Sequence, residues 1–92
     1  MLSAVAVEDL DRLILTHSLP ADTRRRVARS LRPLERFPRM GHALEGRWSR
    51  FRFVLGPWRW LLVVYAYEEE YDEVLIVTMQ DARSSSAARN AP

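Results

Sequence analysis

Phe51-Arg52-Phe53-Val54-Leu55-Gly56-Pro57-Trp58-Arg59-Trp60-Leu61-Leu62-Val63-Val64-Tyr65-Ala66-Tyr67 is the stretch that decides the architecture. Its first part alternates. Phe51, Phe53 and Leu55 face Arg50, Arg52 and Val54 at period two, which predicts a strand with one apolar and one largely basic face. Gly56-Pro57 is a strong turn signal. Residues 58–67 are apolar at both parities, the pattern of a mid-sheet strand covered on both faces. The acidic run Glu68, Glu69, Glu70, Asp72 and Glu73 then supplies a loop, and residues 74–79 a third strand.

Upstream, the period changes to that of helices. Val7, Leu10, Leu13, Ile14 and His17 form one stripe over residues 7–17, with Glu8, Asp9 and Asp11 in the opening turns where the helix dipole favours negative charge. Leu19-Pro20-Ala21-Asp22 reads as a break and a new start. The second helix is predicted to bury Val27, Leu31 and Leu34 and to show Arg24, Arg25, Arg29, Arg32 and Arg36 on its other faces. Pro33 lacks a donor and its ring clashes with the carbonyl of Arg29, so it should kink that helix. Phe37-Pro38-Arg39-Met40-Gly41 ends it. The predicted fold is α+β: an antiparallel two-helix hairpin packed on one face of an antiparallel three-stranded meander. Residues 1–83 are expected to form one domain, and the Ser/Ala-rich residues 84–92 a disordered tail.

All 14 basic residues are arginine. A GC-rich coding genome explains the missing lysines but not the clustering. Residues 23–59 hold 11 arginines against Glu35 and Glu45, a charge of +9 where the whole chain carries +2. A guanidinium stays charged at physiological pH and grips phosphate or carboxylate with a planar fork, so an anionic partner is expected. No cysteine is present, which excludes disulfides and thiolate metal sites and suits a reducing cytoplasm. The longest apolar run, residues 60–67, is far short of the ~20 that a membrane helix needs. No basic region precedes an apolar stretch at the N-terminus, so no secretory signal is expected. Consecutive carboxylates at 68–73 without a neighbouring histidine make a poor coordination cage, and no metal or cofactor is predicted.

Together, Leu31-Arg32-Pro33-Leu34-Glu35-Arg36-Phe37-Pro38-Arg39-Met40-Gly41, Leu44 with Gly46, Phe51-Arg52-Phe53, Gly56-Pro57-Trp58-Arg59 and Val63-Val64-Tyr65 resemble the RelE/ParE toxin superfamily of bacterial type II toxin–antitoxin systems. Val74-Leu75-Ile76-Val77 and Asp81-Ala82-Arg83-Ser84 look like that family's last strand and its basic end. Each motif is short and degenerate; their order and spacing carry the likeness. Family members usually open with a β-strand, which would make the sheet four-stranded. Here only residues 1–6 precede the first helix, so that strand is truncated, reduced to an edge stub, or lost to a misassigned start codon.

The resemblance implies a cognate antitoxin partner, assembled with the toxin as a hetero-oligomer. It offers two targets, ribosome-bound mRNA, which is cut, or DNA gyrase, which is bound without cutting; a degenerate toxin that only binds its antitoxin is a third reading. For cutting, the resemblance places Arg52 where a strand lysine or arginine stands, Arg59 at the hairpin arginine and Arg83 at a basic residue ending the last strand. Asp81 and Ala82 stand where cutting members often carry another cationic or imidazole group, and no tyrosine occurs near Ala87 and Ala88. Arginine stabilises a pentavalent phosphate but is a poor general base. His42 is therefore the proton-transfer candidate, with Glu45 second; the alternative for His42 is a solvated loop residue. Arg25, Arg29, Arg47 and Arg50 are candidate phosphate contacts, and Trp58 a candidate base-stacking surface. The alternatives are a solvated arginine helix and a core tryptophan.

Overall fold

The computed structural model describes residues 1–83; the expected tail lies outside the described residues. In chain order the elements are α1 (Ala4–His17), α2 (Thr23–Leu31), the one-turn α3 (Pro33–Arg36), β1 (His42–Ala43), a 3-10 turn (Gly46–Trp48), β2 (Phe51–Leu55), β3 (Leu61–Glu68) and β4 (Glu73–Asp81). The strands form an antiparallel meander in the order β1-β2-β3-β4.

α1 starts three residues before its predicted first residue, because Ser3 caps it: Ser3 Oγ accepts from the Ala6 amide at 3.0 Å. It closes at Ser18, in the left-handed region at φ 50°. Ala6 and Leu10 are its buried residues, Leu13 and Ile14 pack at the margin, and Val7, predicted inside, is 42% exposed. Asp9, read from sequence as a dipole partner, instead accepts from Thr78 Oγ1 and from the Met79 amide at 3.1 Å, pinning α1 to β4. Pro33 ends α2 rather than kinking it. The helix stops at Leu31 and Pro33 opens α3 at the first-turn position, where its missing donor costs nothing.

Leu61, Val63 and Tyr65 of β3 meet Ile76 and Met79 of β4 and Ala6, Leu10, Val27 and Leu34 of the helices in the core. The register puts Val54 opposite Val63 and Arg52 opposite Tyr65, so Val54 and Arg52 lie on the helix side. Phe51, Phe53 and Leu55 pair with Ala66, Val64 and Leu62 on the other face. The apolar face of β2 is thus the one turned from the helices. Strand β2 takes its face from β3, whose Tyr65 must be buried, and Arg52 finds carbonyl acceptors on that side. For the same reason only one face of β3 lies under helices; Leu62 and Val64 on the other are half-buried by the apolar side chains of β2.

Residues 1–3 run along the edge of β4. Leu2 bridges in parallel to Ile76, with Ile76 N–H donating to Met1 O at 2.8 Å and Ser3 N–H to Ile76 O at 2.9 Å. Where β4 bulges opposite Val64 and Tyr65, Ser3 Oγ donates to Val77 O at 2.9 Å. The fourth strand of the meander is β1, which sequence reading placed in the connection.

Candidate functional site

The connection between α3 and β2 is tied down by two side chains from adjacent strands. Tyr65, fully buried, donates its hydroxyl to Pro38 O at 2.7 Å and accepts from the Gly41 amide at 2.9 Å. Arg52 Nη1 donates to Gly41 O at 2.9 Å and to Arg39 O at 3.2 Å. A Cβ on Gly41 would sit 2.7 Å from both Phe53 O and the Tyr65 hydroxyl, so the chain passes here only as glycine. Arg52, a candidate catalytic residue, thus has one nitrogen committed to backbone carbonyls, with its remaining N–H groups left for an anion.

The face of β2 turned from the helices carries an aromatic row. His42, exposed on β1, lies 5.4 Å from the Phe53 ring, and Trp48 lies 6.1 Å from Phe51. Arg47 sits 5.2 Å over Trp48 and Arg50 5.4 Å over Phe51. Arg50 is also 3.8 Å from Glu68, and Arg39 pairs with Glu69, so the β3–β4 hairpin screens part of this end. The 68–73 run is therefore not merely a solvated loop. The signal of the aromatic row in the sequence is the aromatic–arginine alternation of residues 50–53.

Arg59 lies in the β2–β3 turn, with no hydrogen bond or ion pair from its side chain among the described residues. Beside it, Trp58 and Trp60 stack at 5.6 Å and 10°, with Arg26 5.2 Å over Trp58 and Arg83 5.2 Å over Trp60. Trp58, the candidate base-stacking residue, is thus half-buried and already engaged by Trp60 and Arg26. Arg83 bonds Asp81 through its backbone amide at 2.9 Å and through Nε and Nη2 at 3.0 Å. Those bonds hold the Asp81 carboxyl down to a pKa of about 2, helped by His17, whose Nε2 is 3.3 Å away.

The four predicted catalytic residues fall in two places. His42 and Arg52 stand at neighbouring positions of β1 and β2 but on opposite faces of the sheet; Arg59 and Arg83 stand at the hairpin end, about 10 Å along β2 from Arg52 at ~3.3 Å per residue. The predicted phosphate contacts divide likewise, with Arg47 and Arg50 by β2 and Arg25 and Arg29 exposed on α2. Among the described residues no three carboxylate or imidazole groups are placed to share a metal ion, and no helix is long and apolar enough to cross a membrane.

A helical pair over an antiparallel meander has counterparts among solved structures. One is a double arginine-to-alanine mutant of the E. coli toxin RelE in complex with a peptide of the antitoxin RelBc. It superposes with a TM-score of 0.66 at 14% identity, over 96% of this chain and 86% of that one. The fold is that of RelE. A second match is the conserved hypothetical protein HP0894 from Helicobacter pylori, with a TM-score of 0.56 at 25% identity, over 86% of this chain and 88% of that one. No protein-family model and no curated protein matches the chain. The RelE-like frame agrees with the resemblance read from the motifs, and it puts the Arg52–Tyr65 lock, the aromatic row and the Arg59 turn on one meander.

Proposed function

We propose that this chain is a RelE/ParE-type toxin of a type II toxin–antitoxin pair, arresting growth through RNA at the ribosome and neutralised by an acidic antitoxin. The observation that carries the reading is the RelE fold over 96% of the chain, combined with the +9 charge of residues 23–59. The aromatic row His42–Phe53 and Trp48–Phe51, flanked by Arg47 and Arg50, supports a single-stranded target, because stacked bases and their phosphates need those two kinds of group side by side. In a cutting mechanism Arg59 and the free donors of Arg52 would stabilise the charged phosphorane; His42 stands with Phe53 on the opposite face of the sheet, so it is not placed to take the ribose proton at Arg52.

A second reading, binding of DNA gyrase without cutting, is favoured by one observation. Arg52 and Arg83 already have internal partners, and His42 stands on the sheet face opposite Arg52. Induced expression in a bacterial host separates the readings, with growth, transcript 5′ ends and the DNA-damage response followed together. New ends inside reading frames, lost in Arg59→Ala, are the expected result. Arrest with intact transcripts and a damage response moves the target to gyrase, and no arrest sinks the toxin reading.

A further inference from the structure

A guanidinium does not take a proton from a ribose hydroxyl, so RNA cutting by this fold needs a base beside its arginines. The chain holds two histidines, and His42 stands on the face opposite Arg52. The other, His17, is at the hairpin end. It closes α1, and its Nε2 stands 3.3 Å from Asp81 Oδ2 at the end of β4. Its ring lies 5.1 Å from that of Trp60. Ala82 N–H donates to Trp60 O at 2.6 Å, which fixes the end of β4 against the β2–β3 turn. Three distant parts of the chain thus bring together an imidazole, a carboxylate and the Arg83 guanidinium.

The arrangement has the parts of an acid–base site. Arg83 holds Asp81 through its amide, Nε and Nη2, so the carboxylate is fixed in place and kept ionised. With Nε2 turned to Asp81, a neutral ring carries its proton there and leaves the Nδ1 lone pair as an acceptor. Nδ1 makes no hydrogen bond among the described residues. An imidazolium formed here is stabilised by Asp81 and by the carbonyl end of α1, where the helix dipole favours a cation. From the end of β4 the ring faces Asp81 and Arg83. From the β2–β3 turn it faces Trp60, with exposed Arg59 next in the chain, and Arg26 of α2 lies over Trp58 beyond. The side chains of His17 and Arg83 are 29% and 63% exposed, so substrate can reach them. Arg83 Nη1 and Arg59 are left for a phosphate.

We propose that His17 is the general base of the cutting reaction and Asp81 its positioning residue. The inference rests on the RNA-cutting reading above. His17 Nδ1 takes the proton of a ribose 2′-hydroxyl, and the 2′-oxygen bonds to the adjacent phosphorus. The bond from phosphorus to the 5′-oxygen breaks, and that oxygen leaves with the electron pair and takes a proton from water. His17 then gives its proton to the hydroxide so formed. The products are a 2′,3′-cyclic phosphate and a 5′-hydroxyl.

The test is cleavage of a defined mRNA on programmed bacterial ribosomes by the full chain, followed between about pH 5 and 8. His17→Ala and His17→Gln are each expected to cut at least about a hundredfold more slowly. Free imidazole should restore His17→Ala by about tenfold or more, and leave His17→Gln, whose side chain fills the site, unchanged. The wild-type rate should fall on the acid side as the ring is protonated, a limb that both variants lose. Asp81→Asn should cut more slowly and move that limb to lower pH, because the imidazolium loses its carboxylate. Amide spectra check each fold; should the alanine variant not fold, the pH profile of His17→Gln decides. Wild-type cutting that a folded His17 variant keeps, or a folded His17→Ala that imidazole does not restore, overturns the proposal and spares the toxin reading. Intact mRNA with the wild-type chain, while induced cells arrest with a damage response, removes RNA cutting and His17's role with it.

Discussion

Tyr65 shows what one hydroxyl does when it is buried. Its oxygen serves one carbonyl and one amide of the connection, Pro38 O and Gly41 N–H, neither of which has strand partners to fall back on. Tyr65→Phe removes both bonds and leaves a buried donor unmet, an expected loss of about 1–3 kcal/mol in urea unfolding. Gly41→Ala should cost at least as much, because its methyl meets the backbone oxygen of Phe53 at 2.7 Å and not a movable side-chain end. Asp81 gives a pH prediction. Its pKa is lowered to about 2, first by the side-chain bonds from Arg83 and next by the Arg83 amide. The stabilisation is therefore fully present above the ordinary carboxylate value near 3.8 and is lost as pH falls through about 2. With Arg83 63% exposed, solvent screens the pair and its contribution is small. Carboxyl-carbon NMR should show Asp81 titrating near 2, and Arg83→Ala should move the midpoint upward; an unmoved midpoint would remove Arg83 as the cause.

At the scale of elements, the informative strand is β2. Its alternation is legible in the sequence, but alternation fixes only that two faces differ, not which is inside. The inward face follows from pairing with β3, which places Arg52 under the connection and Phe53 out beside His42. Phe53→Asp should then cost less stability than Val54→Asp, the reverse of what hydrophobicity alone dictates; thermal melts of the two variants check it. The segment before α1 is the second case. Three residues pair with β4 and also cap α1 through Ser3, so one short segment closes a sheet edge and a helix end. Ser3→Ala is expected to cost about 1 kcal/mol as a lost N-cap, with faster hydrogen exchange at the Ala6 amide as its local signature.

For the whole molecule, the charges matter by where they fall. The chain is only +2 overall, yet Glu68 and Glu69 sit against Arg50 and Arg39 while Arg25 and Arg29 stand exposed on α2. Glu68→Gln/Glu69→Gln should therefore tighten binding to a polyanion such as heparin, seen as elution at higher salt; unchanged elution would mean that this end takes no part in anion binding. Helix, turn and strand order came from local chemistry: apolar period, Pro33, Gly56-Pro57 and the acidic turn act within a few residues of where they stand. So did the arginine clustering, and the motifs whose order matches RelE's fold. What no local reading reaches is the direction of each face and the partner of each charge. Asp9 bonds β4 some 70 residues away, and Arg52 and Tyr65 share the connection only because β2 and β3 lie side by side. A side chain's period is set by its own backbone, whereas its neighbours are set by the packing of elements distant in the chain. The pairing of His17 with Asp81, which joins the end of α1 to the end of β4, therefore became visible only in the tertiary structure.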